Sequence, residues 1–403
     1  MIITSLLDLD LYKLTVGEVI FTYFRNITAK YRMTVRNADK IDYRLYVQPD
    51  QINPEIANLE NLSLKKEEAT FLRSLNLFSE EYIQFLMSKP MAGCNVRSEF
   101  QKGNSNDYYW VPEVSGLWHK VMLYEIFCLS INNEIFAKSY AARNDIPFSA
   151  ILTAGRTRLK DKITRINRYK KEERIKDGEL NITEFGTRRR ISKAWQQEVL
   201  QTLVDEKIVN STSNVYLAMK LGIEVKGTFG HEFTMGMQGV SRIQDSQKEG
   251  FSLWLKHWKG KLKIALDDTL GEDKFLRDFT KDLAEAYDGC RHDSGDIEAW
   301  TNARLKMYYY FGIDAKTKTL FYSDGLDDSK IIMTHREFKN KAKLGFGVGT
   351  FFTNDTFIPV PQVVMKIMEC NNQPVAKLSN NPSKASCDDK AYLEYLKHVA
   401  EVL

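Results

Sequence analysis

Gly227-Thr-Phe-Gly-His-Glu-Phe233 is the stretch from which the fold of this chain can be predicted. It follows a short apolar run at 223–225 and places one histidine, His231, directly after a glycine. Four later stretches share this design, in which apolar or β-forming residues lead straight into polar residues or glycine: Lys263-Ile-Ala-Leu-Asp-Asp-Thr269, Cys290-Arg-His-Asp-Ser-Gly-Asp296, Thr319-Leu-Phe-Tyr-Ser-Asp-Gly325 and Leu344-Gly-Phe-Gly-Val-Gly-Thr350. Their starts lie about 30 residues apart, the length of one strand-plus-helix unit. The segments between them have helical patterns, so the repeat predicts a parallel sheet in an α/β protein.

The polar residues that follow these strands are predicted to meet at one place. In a sheet closed into a barrel, the loops after successive strands lie at one face, where barrel enzymes keep their chemistry. We therefore expect one pocket lined by His231, Asp268, Arg291, Asp293, Asp324, Gly347 and Gly349. The loops at 323–325 and 345–349 are typical phosphate cradles, because glycines expose backbone N–H groups to an anion. Ser323, Asp324 and Gly325 are therefore candidate substrate-binding residues.

Composition limits the class of protein. The 403 residues are enough for two domains, and a net charge of +4 is too small to indicate nucleic acid by itself. The five cysteines are scattered without CxxC or metal-ligand spacing, so the protein alone is not expected to fix a metal. The N-terminus has no basic segment of the signal-peptide kind, and no apolar run approaches the ~20 residues that span a bilayer. We expect a soluble cytoplasmic protein with no membrane partner.

Residues 1–130 lack the strand-then-helix rhythm and predict a smaller α+β domain. A strand is expected at 27–35, where apolar and polar residues alternate. A turn at Val114-Ser-Gly116 is expected to open an apolar helix that continues to residue 131. The predicted domains are thus 1–130, which strands from 360–403 could join, and 131–403, the barrel with the active site.

Residues 156–174 form the most basic stretch, with nine Lys or Arg against three acids. One interpretation is an RNA- or phosphate-binding surface. The other is a helix with one buried face, because Leu159, Ile163 and Ile166 follow helical spacing. We favour the helix, since aromatic residues do not interleave with the basic ones.

Two further loops, at 182–190 and 210–216, could each either bind a ligand or have a purely structural role. Residues 182–190 run from a predicted strand through a glycine into three adjacent arginines, whose planar forks suit phosphate or carboxylate. An exposed basic turn is the alternative. Residues 210–216 are rich in hydroxyl groups, and Ser213 or Asn214 could cap the following helix or contact a ligand.

Motifs along nearly the whole chain resemble those of the bacterial nicotinate phosphoribosyltransferase family. The matching motifs are Leu7-Asp-Leu-Asp-Leu-Tyr-Lys-Leu-Thr15, Glu184-Phe-Gly-Thr-Arg-Arg-Arg190, Ser211-Thr-Ser-Asn214, Gly227-Thr-Phe-Gly-His-Glu232, Arg291-His-Asp-Ser-Gly-Asp296, Phe321-Tyr-Ser-Asp-Gly-Leu326, Phe346-Gly-Val-Gly-Thr350 and Val375-Ala-Lys-Leu-Ser379. The resemblance implies an irregular (β/α) barrel of the type II phosphoribosyltransferase kind with a smaller α+β N-terminal domain. It also implies a homodimer with shared active sites.

The resemblance implies a reaction as well. Nicotinate and 5-phosphoribosyl 1-pyrophosphate would give nicotinate mononucleotide and pyrophosphate, the first step of NAD salvage from nicotinate. ATP would be hydrolysed as a co-substrate through a phosphohistidine at His231, with Mg²⁺ as the accompanying cation.

Roles for single residues follow from the same resemblance. Tyr12 would stack on the pyridine ring from a neighbouring subunit, and Phe185 would cover the other face of that ring. Arg291 would lie near nicotinate, with Asp268 and Asp293 on the ribose side. Catalysis would thus depend on His231, Asp268 and Asp293. The remaining substrate contacts would come from Arg188, Arg189, Gly325, Gly347, Gly349 and Thr350. Ser213 is a further candidate because of its hydroxyl-rich loop.

Three alternatives remain at this point. Nicotinamide phosphoribosyltransferase has the same chemistry, but an arginine beside a neutral carboxamide would be costly, so the run at 188–190 favours an acidic substrate. A basic RNA-binding protein that uses 156–174 leaves the strand-end motifs unexplained. A catalytically inactive barrel is disfavoured by the presence of His231 and Asp293.

Overall fold

The computed structural model of the chain describes residues 1–102, 108–378 and 387–402, so Ser379 of the last motif lies outside the described part. The strands are β1 Thr28–Val35, β2 Asn95–Lys102, β3 Tyr108–Leu117, β4 Ile182–Glu184, β5 Ser211–Thr212, β6 Glu224–Val225, β7 Ile264–Leu266, β8 Gly289–His292, β9 Thr319–Tyr322, β10 Lys343–Val348, β11 Val363–Cys370 and β12 Gln373–Pro374. The α-helices are α1 Leu11–Tyr23, α2 Tyr43–Tyr46, α3 Pro49–Ala57, α4 Lys66–Ser74, α5 Glu80–Met87, α6 Trp118–Val121, α7 Tyr124–Arg143, α8 Phe148–Glu172, α9 Lys193–Asp205, α10 Val215–Leu221, α11 His231–Met237, α12 Ser246–Trp258, α13 Glu272–Asp278, α14 Lys281–Ala286, α15 Ile297–Phe311, α16 Asp328–Phe338, α17 Thr350–Thr353 and α18 Lys390–Val402. Within the described residues, none of these helices has the length and apolar character needed to cross a membrane.

The chain divides into two compact units. Unit one comprises Met1–Asn26, Lys30–Lys226 and Val348–Lys366. Unit two comprises Ile27–Ala29, Gly227–Gly347 and Ile367–Leu403. The predicted domain boundary near residue 130 stays a prediction.

Unit one contains an antiparallel sheet in which β3 lies between β1 and β2. The burial of β1 alternates along the strand, as its sequence pattern predicts. The turn expected at 114–116 is wrong, because β3 continues to Leu117 and pairs with β2 from Tyr108↔Lys102 to Ser115↔Asn95. Pairing with a complete partner strand outweighs the local turn signal of Ser115 and Gly116.

The long helix α8 in unit one includes most of the basic stretch. Its apolar residues lie on one buried face, which Ile151, Leu159, Ile163, Ile166 and Tyr169 form. The opposite face carries ion pairs, such as Arg156 with Glu198 and Lys170 with Asp177. The amphipathic helix predicted from the spacing of its apolar residues is therefore confirmed.

Parallel strands occur in both units, as the repeated motifs predict. In unit one, β5 pairs with β4 on one side and β6 on the other. In unit two, β8 pairs with β7 and β9, and β9 pairs with β10, in register Gly289↔Thr319 and Thr319↔Lys343. Helices α13 to α16 connect these strands of unit two, so the expected strand–helix alternation is present.

An aromatic cluster fills the interior of unit two and supports the segment 227–233. Phe229 is fully buried, and its ring centroid lies 4.8 Å from that of Trp254 and 5.8 Å from that of Phe233. Phe251 adds edge contacts to Phe275, Phe279 and Tyr287. Large buried rings of this kind fix the backbone on either side of Gly230.

Candidate active site

His231 is the first residue of α11 and the centre of a charged cluster in unit two. Its Nε2 lies 2.5 Å from Asp268 Oδ1 and 2.7 Å from Lys377 Nζ. Lys377 Nζ also lies 2.7 Å from Asp268 Oδ2, which accepts a further hydrogen bond from Ser294 at 2.5 Å. We call His231, Asp268, Asp293 and Lys377 the His231 cluster. The Asp268 carboxylate and the Lys377 ammonium group lie at the same ring nitrogen, so Nε2 donates to Asp268 in one tautomer or accepts from Lys377 in the other.

The protonation states in the cluster follow from burial and charge. Burial lowers the pKa of His231, and the nearby Lys377 ammonium lowers it further, although Asp268 and Asp293 act in the opposite sense. Burial alone would raise the pKa of Asp268, but its contacts with His231 and Lys377 hold it well below its usual range. Because His231 is neutral on this balance, we attribute the ionised state of Asp268 chiefly to Lys377. The balance therefore favours the neutral form of the imidazole.

Asp293 is the more accessible carboxylate of the cluster. Its side chain is 26% exposed, whereas that of Asp268 is fully buried. Ser323 Oγ donates to Asp293 Oδ1 at 2.9 Å, and Arg291 Nη2 lies 3.6 Å from the same oxygen. Burial tends to raise the pKa of Asp293, but Arg291, His231 and Lys377 together outweigh this effect and the pKa is lowered. Asp293 is therefore an ionised group that solvent can reach.

Arg291 and the glycines of unit two occupy the ends of β8, β9 and β10. Arg291 Nη1 donates to the Phe229 carbonyl at 3.3 Å, and its Nε is buried with no hydrogen-bond partner among the described residues. Gly325 follows β9 with φ +57°, a left-handed conformation that favours glycine. Gly347 lies inside β10 and is buried, while Asp324 is partly exposed. Asp293 and residues 323–325 thus follow the ends of β8 and β9, whereas Arg291 and Gly347 lie within β8 and β10.

The His231 cluster does not fit a resident metal ion. His231, Asp268 and Asp293 bring potential ligand atoms within 4.8 Å of one another. Lys377 already neutralises Asp268 at 2.7 Å and lies 3.9 Å from Asp293 Oδ2. A divalent cation would have to displace this ammonium group, so the residues present do not form a resident metal site.

A second group of predicted residues lies together in unit one, at the end of β4. Phe185 N donates to the Val348 carbonyl at 2.8 Å. A Cβ on Gly349 would lie 3.1 Å from the Phe185 carbonyl, which shows how closely the two loops approach. Thr353 Oγ1 donates to the Gly186 carbonyl at 3.1 Å. Phe185 and the predicted phosphate loop at Gly349 and Thr350 are therefore neighbours.

The three adjacent arginines of unit one have different environments. Arg188 is exposed, and Arg189 donates to the Val363 carbonyl from Nε and Nη2 at 3.2 and 3.1 Å. Arg190 is fully buried and makes a bidentate ion pair with Asp8, with N–O distances of 2.7 and 2.9 Å. An exposed basic turn was the alternative to ligand binding for this motif. Of the three arginines, only Arg188 is exposed.

Ser213 and Tyr12 are connected through the first residues of α1. Ser213 Oγ donates to Asp10 Oδ1 at 2.7 Å, and Leu11 N donates to the Ser213 carbonyl at 2.8 Å. Asn214, rather than Ser213, caps α10 by accepting a bond from Leu217 N. Tyr12 itself is half-buried. In this structure, Ser213 therefore holds the start of the helix that carries Tyr12.

Two buried polar residues were not identified from the sequence, Lys377 in the His231 cluster and Glu184 next to Phe185. Lys377 belongs to the short apolar segment 375–378, and a lysine in such a segment is the signal that could have revealed it, because buried lysines are nearly always paired. Glu184 is fully buried and accepts bonds from Thr212 Oγ1, Gly186 N and Gln196 Nε2. Its position directly before Phe185 suggested a strand end but gave no sign of this network.

Comparisons with known proteins agree over the whole chain. The nicotinate phosphoribosyltransferase family model matches residues 180–402, and the model of the family's N-terminal domain matches residues 7–133. Nicotinate phosphoribosyltransferase of Burkholderia mallei (strain ATCC 23344) is 38% identical over 403 residues, covering 99% of this chain and 97% of the relative. That of Acidovorax sp. (strain JS42) is 37% identical over 413 residues, covering 100% and 99%.

Solved structures give the same result. The crystal structure of nicotinate phosphoribosyltransferase from Vibrio cholerae has a TM-score of 0.86 and 31% identity, covering 100% of this chain and 94% of its own. A putative nicotinate phosphoribosyltransferase from Saccharomyces cerevisiae has a TM-score of 0.84 and 28% identity, covering 100% and 99%. These matches confirm the predicted fold class, an irregular α/β barrel with a smaller α+β domain. The chain therefore belongs to the nicotinate phosphoribosyltransferase family.

Proposed function

We propose that this chain couples phosphoribosyl transfer to ATP hydrolysis through a phosphohistidine at His231. The transfer is the activity of its family: the phosphoribosyl group moves from 5-phosphoribosyl 1-pyrophosphate to nicotinate, giving nicotinate mononucleotide and pyrophosphate in NAD biosynthesis. The pyridine nitrogen is itself the nucleophile, so the protein need not supply one at carbon. A histidine in the site is thus available for energy coupling.

The geometry of His231 is the observation that carries this proposal. A neutral imidazole nitrogen has a lone pair that can attack the γ-phosphorus of ATP, forming an N–P bond while the P–O bond to ADP breaks. When Nε2 donates to Asp268 at 2.5 Å, the lone pair lies on Nδ1 and the orientation of the ring is fixed before ATP arrives. A partly exposed position, 19% for its side chain, gives the ring access to a substrate.

Asp293 is our candidate for the group that faces the ribose. Displacement of pyrophosphate builds positive, oxocarbenium-like charge on the sugar, and a nearby carboxylate stabilises that charge. Asp293 is ionised and accessible, whereas Asp268 is enclosed by His231, Lys377 and Ser294. We therefore assign Asp268 to support of His231 and Asp293 to the transferring sugar.

Arg291 and the loop residues are our candidates for the anionic groups of the substrates. Arg291 would meet the nicotinate carboxylate, which favours nicotinate over the neutral nicotinamide. Gly325, Gly347, Gly349 and Thr350 would hold the 5′-phosphate, with Ser323, Asp324, Arg188, Arg189 and Ser213 as further contacts. The expectation that all these residues line one pocket stays a prediction. Mg²⁺ would enter with the polyphosphate substrates as their counter-ion.

We also propose a homodimer in which Tyr12 of one subunit covers the pyridine ring held against Phe185 of the other. Stacking of the pyridine ring between two aromatic side chains would add about 0.5–1.5 kcal/mol to its binding free energy beyond simple burial. The support for this arrangement is the resemblance of the Tyr12 motif to that of the family. The predicted cytoplasmic location likewise rests on the sequence alone.

The experiment for ATP coupling is phosphorylation of the purified enzyme by γ-labelled ATP. We expect acid-labile label on the wild-type protein and none on His231→Ala, which should retain some ATP-independent transfer but lose stimulation by ATP. His398→Ala, which removes an exposed histidine on α18, is the matched control and should behave like wild type. Undiminished histidine phosphorylation of His231→Ala would show that the assignment is wrong.

A further inference from the structure

We propose that Lys377 is a positioning residue whose ammonium group, together with Asp268, keeps His231 neutral and oriented for phosphorylation. The proposal rests on the function proposed above, in which His231 accepts a phosphoryl group from a nucleoside triphosphate. It assigns a role to a residue outside the loops from which the site was predicted.

Lys377 contacts both His231 and Asp268, the two residues whose charge state it would control. Its Nζ lies 2.7 Å from His231 Nε2 and 2.7 Å from Asp268 Oδ2. Only 7% of the residue is exposed. A lysine is rarely buried to this extent without a charged partner, and here the partner is the carboxylate that also holds the histidine.

The backbone around Lys377 is fixed on both sides. Ala376 donates from N to Gln238 Oε1 at 2.9 Å, and its carbonyl accepts from Gln238 Nε2 at 2.8 Å. Leu378 N donates to the Thr269 carbonyl at 2.8 Å. Gln238 is the C-cap residue of α11, the helix that begins with His231, and Thr269 directly follows Asp268. The segment that carries Lys377 is therefore bonded to the two elements that carry its partners.

The same elements are also bonded to each other. Thr234 Oγ1 lies 2.7 Å from Thr269 Oγ1 and donates to the His231 carbonyl at 3.1 Å. Tyr392 of α18 adds a bond from its hydroxyl group to Gln238 Oε1 at 2.8 Å. A triad held by side chains from several elements has little freedom to rearrange, as precise chemistry requires.

The charge balance explains why a lysine is needed here. Three charged groups face His231: Asp268 at 2.5 Å, Asp293 at 3.7 Å and Lys377 at 2.7 Å, while Arg291 acts on Asp293 from 3.6 Å. Two carboxylates alone would favour the imidazolium ion, in which both ring nitrogens carry protons and neither can attack phosphorus. The ammonium group of Lys377 opposes this effect and preserves the lone pair.

Lys377 would serve the phosphorylated state as well. As the N–P bond forms and ADP leaves with the electrons of the broken P–O bond, negative phosphoryl oxygens arrive beside Asp268 and Asp293. An ammonium group in contact with the ring offsets this repulsion. Asp268 in turn balances the positive charge that develops on the imidazole ring.

The direct test is the protonation of His231, followed by NMR of ¹⁵N-histidine-labelled enzyme across pH, with His231→Ala to assign the signal. In wild type we expect the neutral ring at pH 7. In Lys377→Met we expect the midpoint of the His231 titration to rise by about 1–3 pH units, because an opposing charge has been removed. Lys377→Arg should keep the midpoint near wild type, and the exposed Lys390→Met serves as the control.

The rate of phosphorylation by saturating ATP gives the second readout. Lys377→Met should be slow at neutral pH and recover as the pH passes its new midpoint, whereas a merely structural defect would lower the rate equally at every pH. An unshifted midpoint in Lys377→Met and in Lys377→Gln overturns the proposal. Absence of label on wild-type His231 would instead overturn ATP coupling, while the titration still decides the role of Lys377.

Discussion

Identical residues in one motif have different roles in this enzyme. The guanidinium of Arg190 forms an ion pair with Asp8, that of Arg189 donates to the Val363 carbonyl, and Arg188 is exposed. The sequence predicts a concentration of positive charge at 188–190, but only the fold decides which of these side chains is buried and which is exposed. Partner choice depends on residues nearly two hundred positions away, such as Asp8, and no local pattern contains that information.

The residue-scale prediction concerns Arg291 and the substrate carboxylate. Arg291→Ala should lower kcat/KM for nicotinate by about 2 kcal/mol in transition-state binding, roughly 30-fold, the scale for loss of a charge-assisted hydrogen bond. Steady-state kinetics with varied nicotinate would measure it.

Two further variants make this test specific. Arg291→Lys, which keeps the charge but loses the planar fork, should lie between wild type and Arg291→Ala. Arg242→Ala removes an exposed arginine of the same unit and should leave the kinetics unchanged. An unchanged kcat/KM for nicotinate in Arg291→Ala would remove Arg291 from the substrate site.

At the scale of elements, the ends of parallel strands were the most predictable feature. The strand-then-polar-loop pattern locates β7 to β10 correctly, because buried parallel strands need continuous apolar residues and their ends do not. The element order could not reveal that α8 anchors the loop after β10. Lys162 of α8 is buried and binds the Phe351 carbonyl and Asp355, its Nζ lying 2.6 Å from Asp355 Oδ2.

This anchoring predicts a selective kinetic defect. Lys162→Met keeps the apolar stem but leaves the Phe351 carbonyl without its donor, a cost of about 1–3 kcal/mol in stability. Because Thr350 and the proposed phosphate loop lie beside this anchor, KM for 5-phosphoribosyl 1-pyrophosphate should rise more than KM for nicotinate. Lys160→Met on the exposed face of α8 is the control. Equal changes in both KM values would contradict a role in phosphate binding.

The strand β4 gives a prediction on pH and stability. Burial raises the pKa of Glu184 to about 7 from a usual value of 4.5, although Thr212, Gly186 and Gln196 donate hydrogen bonds to it. The folded state therefore keeps a proton that the unfolded state has lost between these two pH values. The contribution of Glu184 to stability is fully present below pH 4.5 and is lost as the pH rises to 7, by an amount on the order of 3 kcal/mol.

Chemical denaturation of Glu184→Gln at several pH values measures this contribution. The free energy of unfolding of wild type relative to the variant should fall between pH 4.5 and 7, because glutamine cannot ionise. Glu224→Gln, on the exposed strand β6, should show no such slope. Parallel curves for wild type and Glu184→Gln would mean that Glu184 is ionised throughout this range.

For the whole molecule, the fold class was predictable and the joining of distant segments was not. Repeated motifs give the parallel sheet, and family resemblance gives the remaining architecture. The segment 375–378 returns to Thr269 and Gln238 only in three dimensions, so Lys377 could not be placed beside His231 in advance. Long-range bonds of this kind leave no periodic trace in the sequence.

The homodimer prediction belongs to this scale. Leu11 N, at the start of α1, donates to the Ser213 carbonyl of the same chain. This bond fixes the start of the helix but does not show whether Tyr12 contributes to the active site of its own subunit or of the partner. We expect mixtures of Tyr12→Ala and His231→Ala, neither of which by itself is stimulated by ATP, to regain part of the ATP-stimulated activity after subunit exchange. One site of a mixed two-fold dimer would carry both lesions and the other neither. Exchange shown by tagged pull-down without recovery of activity would place Tyr12 in its own chain's site or outside any site.

The central claim is that the chain transfers a phosphoribosyl group to nicotinate with the help of ATP. The most direct test is the rate of mononucleotide and pyrophosphate formation from 5-phosphoribosyl 1-pyrophosphate with nicotinate, nicotinamide or quinolinate, each with and without ATP. We predict rapid formation of nicotinate mononucleotide, stimulation by ATP, and poor use of the other two acceptors. Preference for nicotinamide or quinolinate, or a nicotinate rate that ATP leaves unchanged, would contradict this account.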